Sequence, residues 1–446
     1  MSRTVIRNAF VVSMDDEIGD VQGCDILVED GVIAAIGPEL AAGSADQIDA
    51  TRMIALPGFV DTHRHTWETN ARGLLPDCTL PEYVRFVKQD LGLRFRSEDV
   101  YLGNLIGALE ALDAGITTML DWSHISHTPE HSDAAVEGLR DSGIRGVYAH
   151  GTPPGREWWG GSARPHPDDA RRLRSTFFSS DDQLLTFALA LRAPGGVTVE
   201  VAKADWALAR ELDARISVHV GGRTTGVVSR QVDDLHAAGL LGPDVTFVHC
   251  NDCSDAQLDL IAASGGSVSV SPYVEMVMGH GYPATGRLLA HGIRPSLSAD
   301  VATTAPCDMF SQMRTAFAAE RARAVSDDVD VPFEPAIGHR DVLAFATIEG
   351  ARACGLEQRT GSLRPGKDAD IVLLRTDRLN IAPVTSATAA IVVHADTSNV
   401  DSVLVRGRLV KRAGELVAHD VPALVARGEA SRDYLLGEAG TAAADR

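Results

Sequence analysis

Two patterns of apolar residues alternate along the chain. Short runs of β-formers recur at 55–60, 115–120, 145–149, 185–191, 215–220, 245–248, 267–270 and 294–298. Between them, 97–113, 132–142, 199–213, 254–264 and 288–291 carry apolar residues at three- and four-residue spacing, the period of an amphipathic helix. Eight strands alternating with helical segments is the arithmetic of an α/β fold closed into a (β/α)₈ TIM barrel.

The ends of the chain read differently. Runs 4–14 and 25–36 are rich in Val and Ile and are split by the turn signal Asp30-Gly31, which predicts antiparallel strands. After the barrel, 340–354 reads as a closing helix, and 369–374 and 400–410 return to strand composition. The two ends therefore resemble each other more than either resembles the middle. The expected architecture is a barrel over 57–363 inserted into a discontinuous β-sandwich made of 1–56 and 364–420, with a helix and fraying tail over 421–446. At 446 residues the chain exceeds what one hydrophobic core usually supports, which agrees with two cores.

In a barrel the C-terminal ends of the strands converge on one mouth, and here they are rich in metal-ligand residues. The first strand ends in Asp61-Thr62-His63-Arg64-His65. Side chains alternate along a strand, so His63 and His65 face the same way and can clasp one cation. Strand five ends at His219, strand six at His249 and strand eight at Asp300. One histidine alone reads as a structural residue. Five such residues at four strand ends, including an H-x-H, read as a metal centre.

These residues carry a resemblance. Leu56-Pro57-Gly58-Phe59-Val60-Asp61-Thr62-His63-Arg64-His65, Arg72-Gly73, His219, His249-Cys250-Asn251, Ser298-Ala299-Asp300, Asp308-Met309-Phe310 and the tail block from Ala346-Thr347 to Asp368-Ala369-Asp370 resemble the amidohydrolase superfamily, in its cytosine deaminase and chlorotriazine hydrolase branch. The likeness runs over residues 4–415. It implies one divalent metal ion, zinc first and iron second, on His63, His65, His219 and Asp300. His249 would stand beside them, polarising water or substrate. Three imidazoles and a carboxylate leave a coordination position open for water, whose proton Asp300 is placed to take.

One departure is informative. Deaminases of this branch have a Glu three residues after the strand-five histidine, where it shuttles a proton; here that position is Gly222. Without a positioned acid, expelling an amine as its anion is very costly. Glu275, in the loop after strand seven where relatives commonly have Asn, is the expected substitute, the alternative being a surface or salt-bridged Glu. His280 and Arg223 are further candidates. His124, after strand two, is expected to touch substrate. Arg192 ends strand four, either to bind a carboxylate or carbonyl oxygen or as a structural ion pair. Four of the five tryptophans, Trp67, Trp122, Trp158 and Trp159, follow strands one to three, where they would grip a planar ligand or pack against another subunit. Residues 151–167, rich in Gly and Pro, are expected to form a lid.

Charge and cysteine content narrow the partners. Lys plus Arg number 41 against 61 Asp plus Glu, a net −20 that repels phosphate backbones and anionic lipid. The N-terminus has no signal-peptide pattern, which predicts a cytoplasmic protein, and the six cysteines are expected as buried thiols, Cys250 and Cys253 included. The expectation is therefore a metal-dependent hydrolase of small cyclic or aromatic nitrogen compounds, working as a homodimer or larger homo-oligomer. Two rivals stand beside it: a lyase, isomerase or cyclase on the same metal, and a catalytically silent binding protein.

Overall fold

The computed structural model describes residues 2–41, 43–222, 229–325 and 332–437. The N-terminal strands are β1 (Arg3–Val12), β2 (Asp20–Glu29), β3 (Val32–Gly37), β4 (Asp46–Asp49) and β5 (Met53–Pro57). Then come eight strands of a second sheet: β6 (Phe59–Arg64), β7 (Ile116–Ser123), β8 (Arg145–His150), β9 (Leu185–Leu191), β10 (Arg215–Val220), β11 (Val245–His249), β12 (Ser267–Val270) and β13 (Ser296–Leu297). Each pairs in parallel with the next, and the sheet forms the barrel. Strands buried on both faces need continuous apolar runs, and β7, β8 and β11 are buried at every residue.

The barrel closes through residues of the predicted metal centre. The Asp300 N–H donates to the His63 carbonyl at 3.0 Å, and the His65 N–H donates to the Asp300 carbonyl at 2.8 Å. Inside, Thr62 bonds the hydroxyls of Ser269 and Ser296 at 2.7 and 2.9 Å, and Ser298 bonds those of Ser269 and Ser271 at 3.0 and 2.8 Å. These buried hydroxyls satisfy one another, so the small polar residues of β12 and β13 cost little despite their burial.

The second sheet is assembled from both chain ends. Strands β14 (Ile371–Arg375), β15 (Val400–Val405), β16 (Arg408–Arg412) and β17 (Glu415–Leu416) join the first five in the order β17-β16-β15-β14-β5-β1-β2-β3, with β4 added along β1. It has a core of its own around Ile6, Val11, Ile26, Ile33, Ile371, Leu373 and Leu404. Strand β5 leads into β6 through Gly58, where a Cβ would stand 2.0 Å from the Thr117 hydroxyl, so only glycine fits. Buried Arg145 of β8 also ties the two sheets, bonding Asp370 at 2.6 Å and Asp368 at 2.7 Å.

Three elements differ from expectation. The helix expected over 340–354 is two, His339–Phe345 and Ile348–Ala353, because the chain turns at Ala346-Thr347 so that the Ala346 carbonyl accepts the Val60 N–H at 2.8 Å. The helix read at 288–291 is Thr285–Ala290, and the last barrel strand shrinks to Ser296–Leu297 before the backbone bends toward the site. The tail beyond 437 and Arg223 lie outside the described residues. No helix among the described residues is long and apolar enough to cross a membrane.

Candidate metal centre and active site

Four imidazoles converge on one carboxylate at the mouth of the barrel. Asp300 Oδ1 lies 3.3 Å from His63 Nε2 and 3.5 Å from His65 Nε2, and Oδ2 lies 3.7 Å from His249 Nε2. His219 Nε2 faces His63 Nε2 at 3.1 Å. Donor atoms bound to one tetrahedral ion at about 2.0–2.1 Å stand roughly 3.4 Å apart along each edge, close to the His63–Asp300, His65–Asp300 and His63–His219 separations. Burial holds His65 and His219 well below the ordinary imidazole range, so both are neutral and present lone pairs. The Asp300 carboxyl resists its own burial and is held at about 2, chiefly by the His63 hydrogen bond and the surrounding imidazole charges. The donor set fits a divalent cation. The sequence places the donors by strand alternation at His63 and His65, and by left-handed backbone at Asp300, φ 65°, and His249, φ 76°. Such conformations cost of order 1–3 kcal/mol each and cluster at sites where side chains must be aimed.

Behind His249 stands Glu275, fully buried. Its Oε1 lies 3.1 Å from His249 Nδ1 and accepts the Ser271 N–H at 2.8 Å, and its Oε2 accepts from Asn251 Nδ2 at 3.0 Å. Both oxygens are thus occupied, and the carboxylate is absent from the cavity wall. Burial by itself would lower the His249 pKa, but the Glu275 hydrogen bond together with the Asp300 and Glu275 charges raises it overall. His280 packs edge-on to His249, with ring centroids 5.0 Å apart, and among the described residues neither of its nitrogens has a partner.

A cavity of about 630 Å³ opens over the four metal donors' side of the barrel. His65, His219, His249, His280 and Asp300 form part of its floor; Tyr83, Lys88, Trp159, Gly222 and Arg230 contribute to its walls. Of the expected substrate contacts, Trp159 and His280 therefore line the cavity. Trp67, Trp122 and His124 are buried beneath it: Trp67 packs on Phe95 and His124, Trp122 on His65 and His219, and His124 lies 4.2 Å from the His65 ring. Arg192 turns away from the cavity. Its guanidinium donates to the Trp158 and Arg164 carbonyls, both at 2.8 Å, and to Asp205 at 3.3 Å, so it anchors residues 151–167, and Trp158 sits over that guanidinium.

Sequence reasoning missed two residues. Glu68, three positions after His65, is fully buried; its Oε1 accepts from the Tyr83 hydroxyl at 2.5 Å, and its Oε2 lies 3.5 Å from the Thr303 hydroxyl. Lys88 ends a π-helical turn over Val84–Lys88 and reaches the cavity. The available signal was weak: one acid and one lysine in a long loop after the first barrel strand, with no motif to set them apart.

Comparison with known proteins gives the family of the chain. Residues 54–410 match the model of the amidohydrolase family. The 5'-deoxyadenosine deaminase of Methanothermobacter thermautotrophicus is 30% identical over 430 residues, covering 94% of this chain and 97% of that one. A 5-methylthioadenosine/S-adenosylhomocysteine deaminase of Desulforudis audaxviator is 30% identical over 450 residues, covering 97% and 99%. Among solved structures, a zinc-bound adenosine deaminase from Xanthomonas campestris superposes with a TM-score of 0.84 at 24% identity, over 97% of this chain and 98% of that one. An atrazine chlorohydrolase from Arthrobacter aurescens, complexed with zinc and atraton, gives 0.84 at 21% identity, over 96% and 100%.

Proposed function

Since the chain belongs to the amidohydrolase family, we propose that it hydrolyses a non-peptide C–N bond, or a comparable leaving-group bond, at an sp² carbon of a small cyclic or aromatic nitrogen compound. The observation that carries this reading is the convergence of His63, His65, His219 and Asp300 beneath one cavity. Those four residues would hold a divalent cation, which would supply Lewis acidity and lower the pKa of water toward neutrality. Asp300, ionised across the neutral range, accepts the proton of the attacking water.

His249 is oriented by Glu275. With Nδ1 held by the carboxylate, Nε2 is presented toward Asp300 and the cavity, and the raised pKa favours the protonated ring that donates to an oxygen or departing nitrogen. Glu275 is thus a positioning residue, and the proton that a Glu at position 222 would carry comes from His249, since burial lowers the His280 pKa to about 3 and keeps that ring neutral. The deaminases among the relatives make amino-heterocycles the first substrates to try. Gly222 favours a second reading, a lyase, isomerase or cyclase on the same residues, because that chemistry needs no acid there.

The deciding experiment is incubation of zinc-loaded protein with aminopurines, aminotriazines, cyclic amides and ureas in H₂¹⁸O, followed by mass spectrometry. The label should enter one product. Conversion without label would replace hydrolysis by the second reading, and no conversion across the panel would sink both.

A further inference from the structure

Lys88 is 9% exposed, and what little surface it has faces the cavity. Its Nζ lies 4.8 Å from the Trp159 ring centroid, 5.8 Å from Tyr83 and 5.9 Å from Trp122. Among the described residues the ammonium has no ion pair or hydrogen bond; three aromatic faces surround it. Cation–π contacts are worth about 0.5–2 kcal/mol each, whereas withdrawing an ammonium from water costs several kcal/mol. An ammonium held this way is incompletely compensated.

The neighbouring carboxylates do not close the gap. Glu68 already accepts from Tyr83 and faces the Thr303 hydroxyl, and among the described residues no ion pair joins it to Lys88. Asp300 is turned toward the histidines. Trp122, whose ring underlies Lys88, also packs against His65 and His219, so the ammonium stands one aromatic ring away from the metal donors. Trp159 closes the outer side and belongs to the segment anchored by Arg192.

We infer that Lys88 is an anion-recognition residue of this cavity and that the substrate is an acidic nitrogen heterocycle, carrying a carboxylate or a deprotonated ring oxo group that pairs with its Nζ. The inference rests on the reading that this cavity binds the substrate and names the chemical class. The bound anion completes the compensation of the ammonium, and the ring bearing it lies along Trp159 with its far edge over the metal donors. A neutral amino-heterocycle leaves the Lys88 ammonium unpaired and binds less well for that reason.

The test pairs ring compounds of matched size and different charge, orotate with uracil and nicotinate with nicotinamide, titrated calorimetrically into zinc-loaded full-length protein. The anion should bind roughly tenfold or more tightly than its neutral partner in at least one pair, about 1.4 kcal/mol. Lys88→Met should remove that preference by weakening the anion and leaving the neutral compound within about twofold, and Lys88→Arg should keep most of it. Methionine replaces a buried charge by a similar volume, so the variant is expected to fold; its thermal midpoint checks this. Absence of any preference in both pairs, failure of both anions to bind included, overturns the inference. A preference that survives in Lys88→Met also overturns it, since the anion then sits on the metal. Labelled turnover restricted to neutral compounds would remove the acidic substrate and leave the hydrolase reading standing. Anion binding through Lys88 without any turnover would do the reverse.

Discussion

Asp300 does two jobs at the scale of single residues, facing His63 and His65 through one oxygen and His249 through the other. Asp300→Asn should therefore lose metal and turnover together, with elemental analysis falling well below one equivalent. Glu275→Gln separates these effects. It should keep the metal and lower kcat roughly ten- to a hundredfold, as expected when a supporting hydrogen bond to an active-site histidine is weakened. Because Glu275 raises the His249 pKa, the limb of the pH–rate profile belonging to His249 should move to lower pH in that variant. A profile that falls in height without moving would assign Glu275 to packing alone. Gly222 admits the complementary experiment. Among the described residues a Cβ there meets only the Leu80 Cδ2 atom at 3.8 Å, so Gly222→Glu should fold with an unchanged thermal midpoint. It should also gain turnover on neutral amino-heterocycles, measured as ammonia release.

The segment 151–167 is the element whose position matters most, since it carries Trp159. Arg192 holds it through two carbonyls and Asp205, and the Asp205 carboxylate also accepts the His166 N–H at 2.8 Å. Arg192→Leu leaves Asp205 buried without its cation, which should cost about 3–5 kcal/mol in urea denaturation and expose the segment to limited proteolysis. His166 Nε2 and His150 Nδ1 share a second fastening, 2.9 Å apart and buried. Burial lowers both pKa values, that of His150 to about 4. Unfolded, these rings take up protons near pH 6.5, while folded His150 resists until about pH 4 and His166 is likewise held well below its ordinary range, so the unfolded state binds more protons in between. Stability contributed by the pair is full above pH 6.5 and is lost as pH falls toward 4. Thermal midpoints recorded across that window should fall, and fall less in His150→Gln; equal slopes would remove the pair from the account.

For the whole molecule, two sheets must hold a fixed relation, because β5 of one runs directly into β6 and its two histidines. Arg145 with Asp370 and Asp368 is the buried polar tie between them. Asp370→Asn should destabilise the protein by about 3–5 kcal/mol while leaving the zinc content of the folded fraction unchanged, since the pair lies away from the metal donors. Loss of metal without loss of stability would mean that the tie acts on the site itself.

The barrel and the candidate metal donors at its mouth were legible because each depends on local rules. The strand run fixes which residues are buried, alternation by two puts His63 and His65 on one side, and the fold brings all strand ends to one mouth. The same rules misplaced 340–354, whose break serves a hydrogen bond to distant Val60. They were silent on Glu68 and Lys88, which sit in a loop without periodicity. Only packing could turn Glu275 behind His249, send Arg192 to carbonyls of the segment 151–167, and leave Lys88 without a polar partner, among the described residues, between three rings. Those outcomes depend on which donors and acceptors meet in three dimensions. Sequence spacing determines the face a residue shares, and tertiary structure alone decides which partner satisfies its charge.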